Sequence, residues 1–249
     1  MDLGIAGRTA LVTGASTGLG LASARALAAE GVRVALVSRS DEKLAAAAAA
    51  VEGDPVTVTA DLTDNASIDA MLGEVGASLG HVDILVANAG GPPPGTFAST
   101  DLNRYPEALQ LNLLAHVRMC RALIGPMRKR GWGRVVAITS ATVREPSPSL
   151  ILSNTARAGL TAFLKTTATE VAGDGVTVNS VQPGLHATER LHDLYGGLDA
   201  VATVADGHPM GRIGDPADFG RIVAFLCSET ANYINGTGLP VEGGALKGS

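Results

Sequence analysis

Charge and aromatic surface are both scarce in this chain. Charged residues make up 17% of the 249 positions and aromatic residues 3%. Lys and Arg number 19 against 24 Asp and Glu, which leaves a net charge of −5 and no basic face. The one basic cluster, Arg128-Lys129-Arg130, closes an expected helix, where cations complement the helix dipole. A phosphate-binding surface needs several such clusters, so no nucleic-acid partner is expected. No apolar run reaches the roughly 18 residues that would cross a bilayer, so no membrane partner is expected either. Asp2, followed at once by a glycine-rich turn, does not read as a signal peptide. Only two cysteines occur, Cys120 and Cys227, far apart and without CxxC spacing. They read as free, buried thiols of a reducing compartment, hence a cytoplasmic protein. His81, His116, His192 and His208 have no neighbours at metal-ligand spacing and read as structural or solvated, so no metal site is expected.

What the chain has in quantity is apolar material: hydrophobic residues make up 46% of it, and there are 31 glycines. That is enough for a sizeable core, and no linker, repeat or charge block divides residues 1–249, which read as one domain. Short apolar runs alternate with helical ones. The strands are expected at 9–13, 33–37, 56–60, 82–87, 134–138, 176–180 and 239–241. The intervening helices are expected at 19–30, 41–51 (capped by Asp41), 66–79, 105–130, 153–172 and 216–227. Strands this apolar, each followed by a helix, predict an α/β fold. Its expected core is a doubly wound parallel sheet of about seven strands, covered on both faces.

The sharpest motif is Thr13-Gly14-Ala15-Ser16-Thr17-Gly18-Leu19-Gly20, which ends the first strand and opens the first helix. Gly14 permits a tight turn, Gly18 lets backbone approach a pyrophosphate, and Gly20 lets helix and strand pack closely. The helix N-terminus then offers free N–H groups to the anion. An NAD-type site carries an acidic residue at the end of the second strand, to bond the ribose 2′-hydroxyl. Here Ser38 and Arg39 stand there instead, and a guanidinium suits a 2′-phosphate, so NADP(H) is favoured over NAD(H).

The TGxxxGxG spacing, with further motifs in order along essentially the whole chain, resembles the short-chain dehydrogenase/reductase family. The resemblance implies an adenine contact at Asp61-Leu62 and a sheet-steadying ribose contact at Asn88-Ala89-Gly90. It implies a structural and proton-relay Asn at Asn112 and the catalytic serine at Ser140. It also implies nicotinamide contacts along Pro183-Gly184 with Thr188, a substrate lid over 185–211, and a homotetramer. The tetramer would pack through the helices expected at 105–130 and 153–172, where Ala108, Leu109, Leu113 and Ala162 are small or apolar.

One part of the family pattern is missing. The catalytic Tyr-x-x-x-Lys should follow the serine by about a dozen residues, one helical turn separating its two members. In that register stand Ser153 and Arg157, and no Tyr occurs between Tyr105 and Tyr195. A positioned general acid is worth about 10²–10⁴ in rate. A serine is a weaker, shorter acid than a phenol, and an arginine does not give up its proton. Arg157 could still hold a cofactor ribose. Replacement candidates are His186, just past Pro183-Gly184, and Tyr195 in the lid; Arg144 could polarise a carbonyl or bind an acid group. No GxSxG elbow supports a hydrolase.

The walls expected for the cleft are the Pro92–Gly95 loop, Phe97, Leu150, Leu152 and the lid at Leu191–Leu198. They suggest an apolar or acyl small-molecule substrate. The leading expectation is an NADP(H)-dependent oxidoreductase acting on a carbonyl or secondary alcohol. Ser140 and Arg157 would orient the reactants, and His186 or water would supply the proton. The alternatives are a redox-neutral isomerase, epimerase or lyase using the same cleft, and a cofactor-binding protein without turnover.

Overall fold

The computed structural model describes residues 2–191 and 203–248. Seven strands form one sheet: β1 Thr9–Thr13, β2 Arg33–Ser38, β3 Val56–Thr59, β4 Ile84–Ala87, β5 Gly133–Ile138, β6 Val176–Pro183 and β7 Gly238–Val241. Their order is β3-β2-β1-β4-β5-β6-β7, and every pairing is parallel. Each strand buries alternate residues on opposite faces, so both faces need cover. Leu11, Val37 and Leu85 pack with α3 Asn65–Leu79, α5 Ala115–Arg130 and α6 Ile151–Val171. Val12, Leu36 and Val86 pack with α1 Gly18–Ala29, α2 Asp41–Ala49 and α7 Pro216–Leu226. Phe219 of α7 is fully buried, the kind of side chain whose burial contributes roughly 1.5–3 kcal/mol.

The chain leaves β1 toward β2 and β3, then crosses back to β4 on the other side of β1. That reversal opens a crevice beyond the C-terminal ends of β1 and β4, the place where open α/β sheets bind ligands.

Local details differ from the expectations. Ser40, rather than Asp41, caps α2, its hydroxyl accepting from the Lys43 N–H; Asp41 is already inside the first turn. α6 begins at Ile151, and β6 runs on to Pro183 because β7 pairs with it from Ser180 onward. The helix expected over 105–130 is broken into α4 Tyr105–Leu109, a π turn Gln110–Leu114, and α5. A π turn inserts one extra residue into the helical spiral and re-aims its side chains. Here it carries Asn112 inward, where the amide donates to the Gly90 carbonyl at 2.9 Å.

Candidate active site

The glycine turn is tied to β4 by two side chains. Thr13 Oγ1 donates to the Asn88 carbonyl (2.7 Å) and accepts the Asn88 N–H (3.0 Å). Asn88 Nδ2 donates to the Gly14 carbonyl at 3.1 Å. A Cβ on Gly20 would overlap the Gly14 carbonyl oxygen and stand 2.8 Å from Asn88 Nδ2. Gly18 holds φ at 57°, a left-handed conformation that side chains disfavour. Thr17 flanks α1 without a side-chain cap bond, so the first N–H groups of the helix are left to a ligand.

This turn floors a cleft of about 720 Å³. Ser16, Thr17 and Leu19 line it beside the glycines, as do Asn88, Ala89 and Gly90 from the β4 loop. Ser38 and Arg39 line one end, and Pro183, Gly184 and Thr188 line the wall across from the turn. Ser140, Ser153 and Arg157 come together at the other end. Of the expected site residues, Gly20, Asp61 and Asn112 stand behind the wall. Leu62 faces the cleft, whereas Asp61 turns back to accept the Thr63 N–H and hydroxyl, both at 2.8 Å. Those bonds, with help from the Arg39 charge, hold its carboxyl below the usual range.

Ser140 caps a short 3-10 turn, Ala141–Val143, and its hydroxyl pairs with Thr142 Oγ1 at 2.9 Å. Ser153 makes no side-chain hydrogen bond among the described residues, so its hydroxyl is free for a ligand. Arg157 points inward. It is 6% exposed and donates to the carbonyls of Ile138 (2.8 Å), Thr139 (2.9 Å) and Ala89 (3.3 Å). Burial, and then the Arg190 charge, push its pKa down to about 10, and it stays a cation at neutral pH. With those donors spent on backbone, a direct ribose contact is a smaller part of its work than the sequence suggested. Behind it His116 is fully buried, and its ring nitrogens have no hydrogen-bond partner. Burial first, and the Arg157 charge second, push His116 down to about 3, although the Ala87 carbonyl pulls the other way.

His186 is poorly placed as a proton donor. Its ring packs edge-on against Phe219 (5.1 Å between centroids) and against Gly214. Nδ1 lies 3.3 Å from the Gly184 carbonyl, so it carries the proton of the neutral ring and Nε2 is left an acceptor. Burial pushes its pKa below the ordinary value, so the neutral form prevails at pH 7. Arg144 is likewise committed elsewhere, to Gln182 Oε1 (2.7 Å) and the Gly238 carbonyl (2.8 Å), and does not line the cleft. Tyr195 and His192 lie outside the described residues. Among the expected apolar walls, Pro92, Leu150 and Leu191 face the cleft. Phe97 instead stands 87% exposed, and Leu152 is buried away from it. Cys120 and Cys227 are free, buried thiols, each pushed up to about 12 by burial. No described helix is long and apolar enough to cross a membrane.

Among the lining residues that escaped the sequence reading are Lys43, Glu189 and Arg190. Lys43 sits one turn after Arg39, and its ammonium pairs with Glu189 at 3.7 Å. Arg190 lies two residues past Thr188 and donates to the Pro92 carbonyl at 2.8 Å. The only signal for any of them was proximity to a motif already marked.

A family model described as Enoyl-(Acyl carrier protein) reductase matches residues 14–245. The 3-oxoacyl-[acyl-carrier-protein] reductase of Haemophilus influenzae is 35% identical over 239 residues, 96% of this chain and 98% of that protein. The L-sorbose reductase of Gluconobacter frateurii, solved with NADPH and L-sorbose, is 35% identical with a TM-score of 0.93, covering 100% of both chains. An NADPH-bound short chain oxidoreductase of Pseudomonas aeruginosa, described as containing an atypical catalytic center, is 30% identical with a TM-score of 0.89. That match covers 97% of this chain and 98% of the other. The chain therefore belongs to the short-chain dehydrogenase/reductase family.

Proposed function

We propose that the protein is an NADP(H)-dependent oxidoreductase that interconverts a carbonyl and a secondary alcohol. The observation that carries this is the make-up of the cleft at the end of β2: Ser38, Arg39, Ser40 and Lys43 line it, two cations and two hydroxyls, and the carboxylate nearby, Glu189, comes from another element and pairs with Lys43. A ribose 2′-hydroxyl asks for a carboxylate at this place, and a 2′-phosphate asks for guanidinium and hydroxyl donors. The Gly14–Gly20 turn would hold the diphosphate, and Gly184 and Thr188 the nicotinamide end. NADPH-bound relatives support the same choice. The bound cofactor supplies hydride to, or takes it from, the substrate carbon.

The chain's own residues supply the rest. Ser140 hydrogen-bonds the substrate oxygen, and its Thr142 partner orients that hydroxyl. Ser153 offers a second hydroxyl. Arg157 places a fixed positive charge behind them, which favours negative charge building on that oxygen. Neither Tyr nor a second Lys lines the cleft among the described residues, so the proton comes from water passing through Ser140. The missing phenol also supports a second reading, a redox-neutral reaction such as an isomerisation on the same carbonyl. A homotetramer packed through α5 and α6 goes with this family reading; of the four residues expected there Ala162 is exposed, Leu109 and Leu113 are half-buried and Ala108 belongs to the core.

Calorimetric titration of nucleotide-free protein with NADPH and NADH is the test. NADPH should bind at least about tenfold more tightly than NADH, and Arg39→Gln should remove most of that preference. Equal affinities, or no binding of either, would sink the assignment. Substrate turnover without net nicotinamide oxidation or reduction would move the balance to the redox-neutral reading.

A further inference from the structure

Two guanidinium groups line the cleft and bond the same β4 loop, Arg157 at the Ala89 carbonyl and Arg190 at the Pro92 carbonyl, and neither has a carboxylate partner among the described residues. Arg157 is buried and bonded only to neutral carbonyls. Arg190 reaches over the β4 loop, its Nη2 donating to the Pro92 carbonyl and lying 3.1 Å from where a Gly91 side chain would begin. The two are close enough for the Arg190 charge to act on Arg157. The carboxylates lining the cleft are both taken up elsewhere: Glu189 pairs with Lys43, and Glu242 accepts the Leu246 N–H at 2.9 Å.

Arg157 is buried and Arg190 exposed, so their like charges repel across the loop, and an anion seated between them relieves the cost. Elsewhere in the chain a buried arginine is given its counter-ion: Arg134 faces Glu229 at 3.5 Å. Among the described residues that role is vacant at the catalytic corner. We propose that a carboxylate on the substrate fills it, held by Arg190 and drawn in by the field of Arg157, with its carbonyl carbon directed to Ser140 and Ser153. This rests on the oxidoreductase reading and narrows it to oxo acids and their hydroxy-acid counterparts.

The shape of the donors decides which anion. Arg190 has spent one N–H on Pro92 and keeps an open guanidinium edge, which matches the two oxygens of a planar carboxylate. A phosphate dianion would bring further acceptors to walls that include Leu150, Leu185, Leu191 and Ala141, which have no side-chain donors. The cofactor's own diphosphate is the competing anion, and the experiment separates the two.

The proteins to compare are the wild type, Arg190→Gln and Arg190→Lys, each with saturating NADPH. The probes are acetoacetate and 2-oxobutyrate, each beside its neutral amide, followed by calorimetry. Arg190 is surface-exposed, so neither substitution disturbs a packed core. Wild type should bind the acids at least about tenfold more tightly than the amides. Arg190→Gln should erase that preference, Arg190→Lys should retain part of it, and all three should bind NADPH alike. Equal binding of acids and amides by the wild type overturns the proposal. So does a loss of NADPH affinity in Arg190→Gln with the acid preference intact, which would give Arg190 to the diphosphate. Should the wild type fail to bind NADPH, the cofactor reading falls by itself. The acid preference is then measured on the free protein, where equal binding of acids and amides, or an acid preference unchanged in Arg190→Gln, overturns the proposal.

Discussion

The two ends of the sheet treat their charged groups differently, although one hydroxyl at the N-terminal end, that of Thr177, is also buried without a partner. At the N-terminal end, Trp132 is stacked between Arg8 (3.9 Å) and Arg134 (4.3 Å), and its Nε1 donates to Glu229 at 2.7 Å. Arg134 is 2% exposed, yet it has Glu229 opposite and the carbonyls of Gly133, Gly175 and Ser228 around it. Asp83 accepts from Arg130 and the Thr9 N–H and lies against His81. At the C-terminal end, among the described residues, Arg157 has carbonyls and no counter-ion, Asn112 Oδ1 is buried without a hydrogen-bond partner, and the ring nitrogens of His116 have only the pull of the Ala87 carbonyl. Buried polar groups are paired in nearly all native structures, so a cluster of unpaired ones marks where the chain was left incomplete for something else to finish. The finished end holds the fold together, and the unfinished end is the site.

The strongest test of this contrast removes the two buried arginines in turn. Arg134→Met strands three carbonyls and one partner of Glu229, and should cost about 3 kcal/mol, lowering Tm by roughly 6–12 °C. Arg157→Met also strands carbonyls, but it removes a buried charge that lacks a counter-ion. It should cost less than half as much while impairing turnover, and denaturant melts of both variants would read the difference. Equal losses would mean that the two ends are not built differently.

Acid should then act mainly through the unfinished end. His116 titrates near 3 when folded and near 6.5 when unfolded, so between those values the unfolded chain binds the extra proton. Stability is therefore full above pH 6.5 and falls as the pH drops toward 3. At pH 4.5 the loss from this group should be about 2–3 kcal/mol. His186, shifted in the same direction, adds to it. His116→Leu should flatten that acid limb in urea melts at pH 7 and 4.5; an unchanged limb would place the sensitivity elsewhere. A smaller effect is expected from Gly20→Ala, whose methyl must displace the Gly14 carbonyl or the Asn88 amide. NADPH affinity should fall at least about tenfold, with the helical circular dichroism retained. Unaltered affinity would mean that the turn tolerates the shift.

Much of this was legible in the chain. The alternation of apolar strands with helices gave seven parallel strands, because buried parallel strands must be apolar on both faces. The glycine turn was legible because close backbone approach leaves no residue but glycine. The helix boundary at Ser40 was missed because Ser and Asp cap equally well, and neighbouring candidates are not separated by propensity. The π turn at Gln110–Leu114 was missed because the apolar periodicity runs through it unbroken. The bonds of Arg144 and His186 were not legible, because loop position says nothing about which bond a long or ring side chain will find first; His186 lines the cleft and Arg144 does not. Arg144 found Gln182, and His186 found Gly184 and Phe219.

By itself the sequence determined the architecture, the place of the nucleotide turn and the replacement of an acidic residue by Ser38-Arg39 at the end of β2. These are local facts, set by residue type at fixed spacing. Only the tertiary structure decided that Arg157 turns inward onto three carbonyls and that His116 lies behind it without a partner. The same holds for Arg190, which no motif marks and which brings to the cleft a second cation without a carboxylate partner among the described residues. Those outcomes depend on which groups from β4, β5 and α6 arrive at one point, and on how little water reaches them there. No count along the chain contains that information.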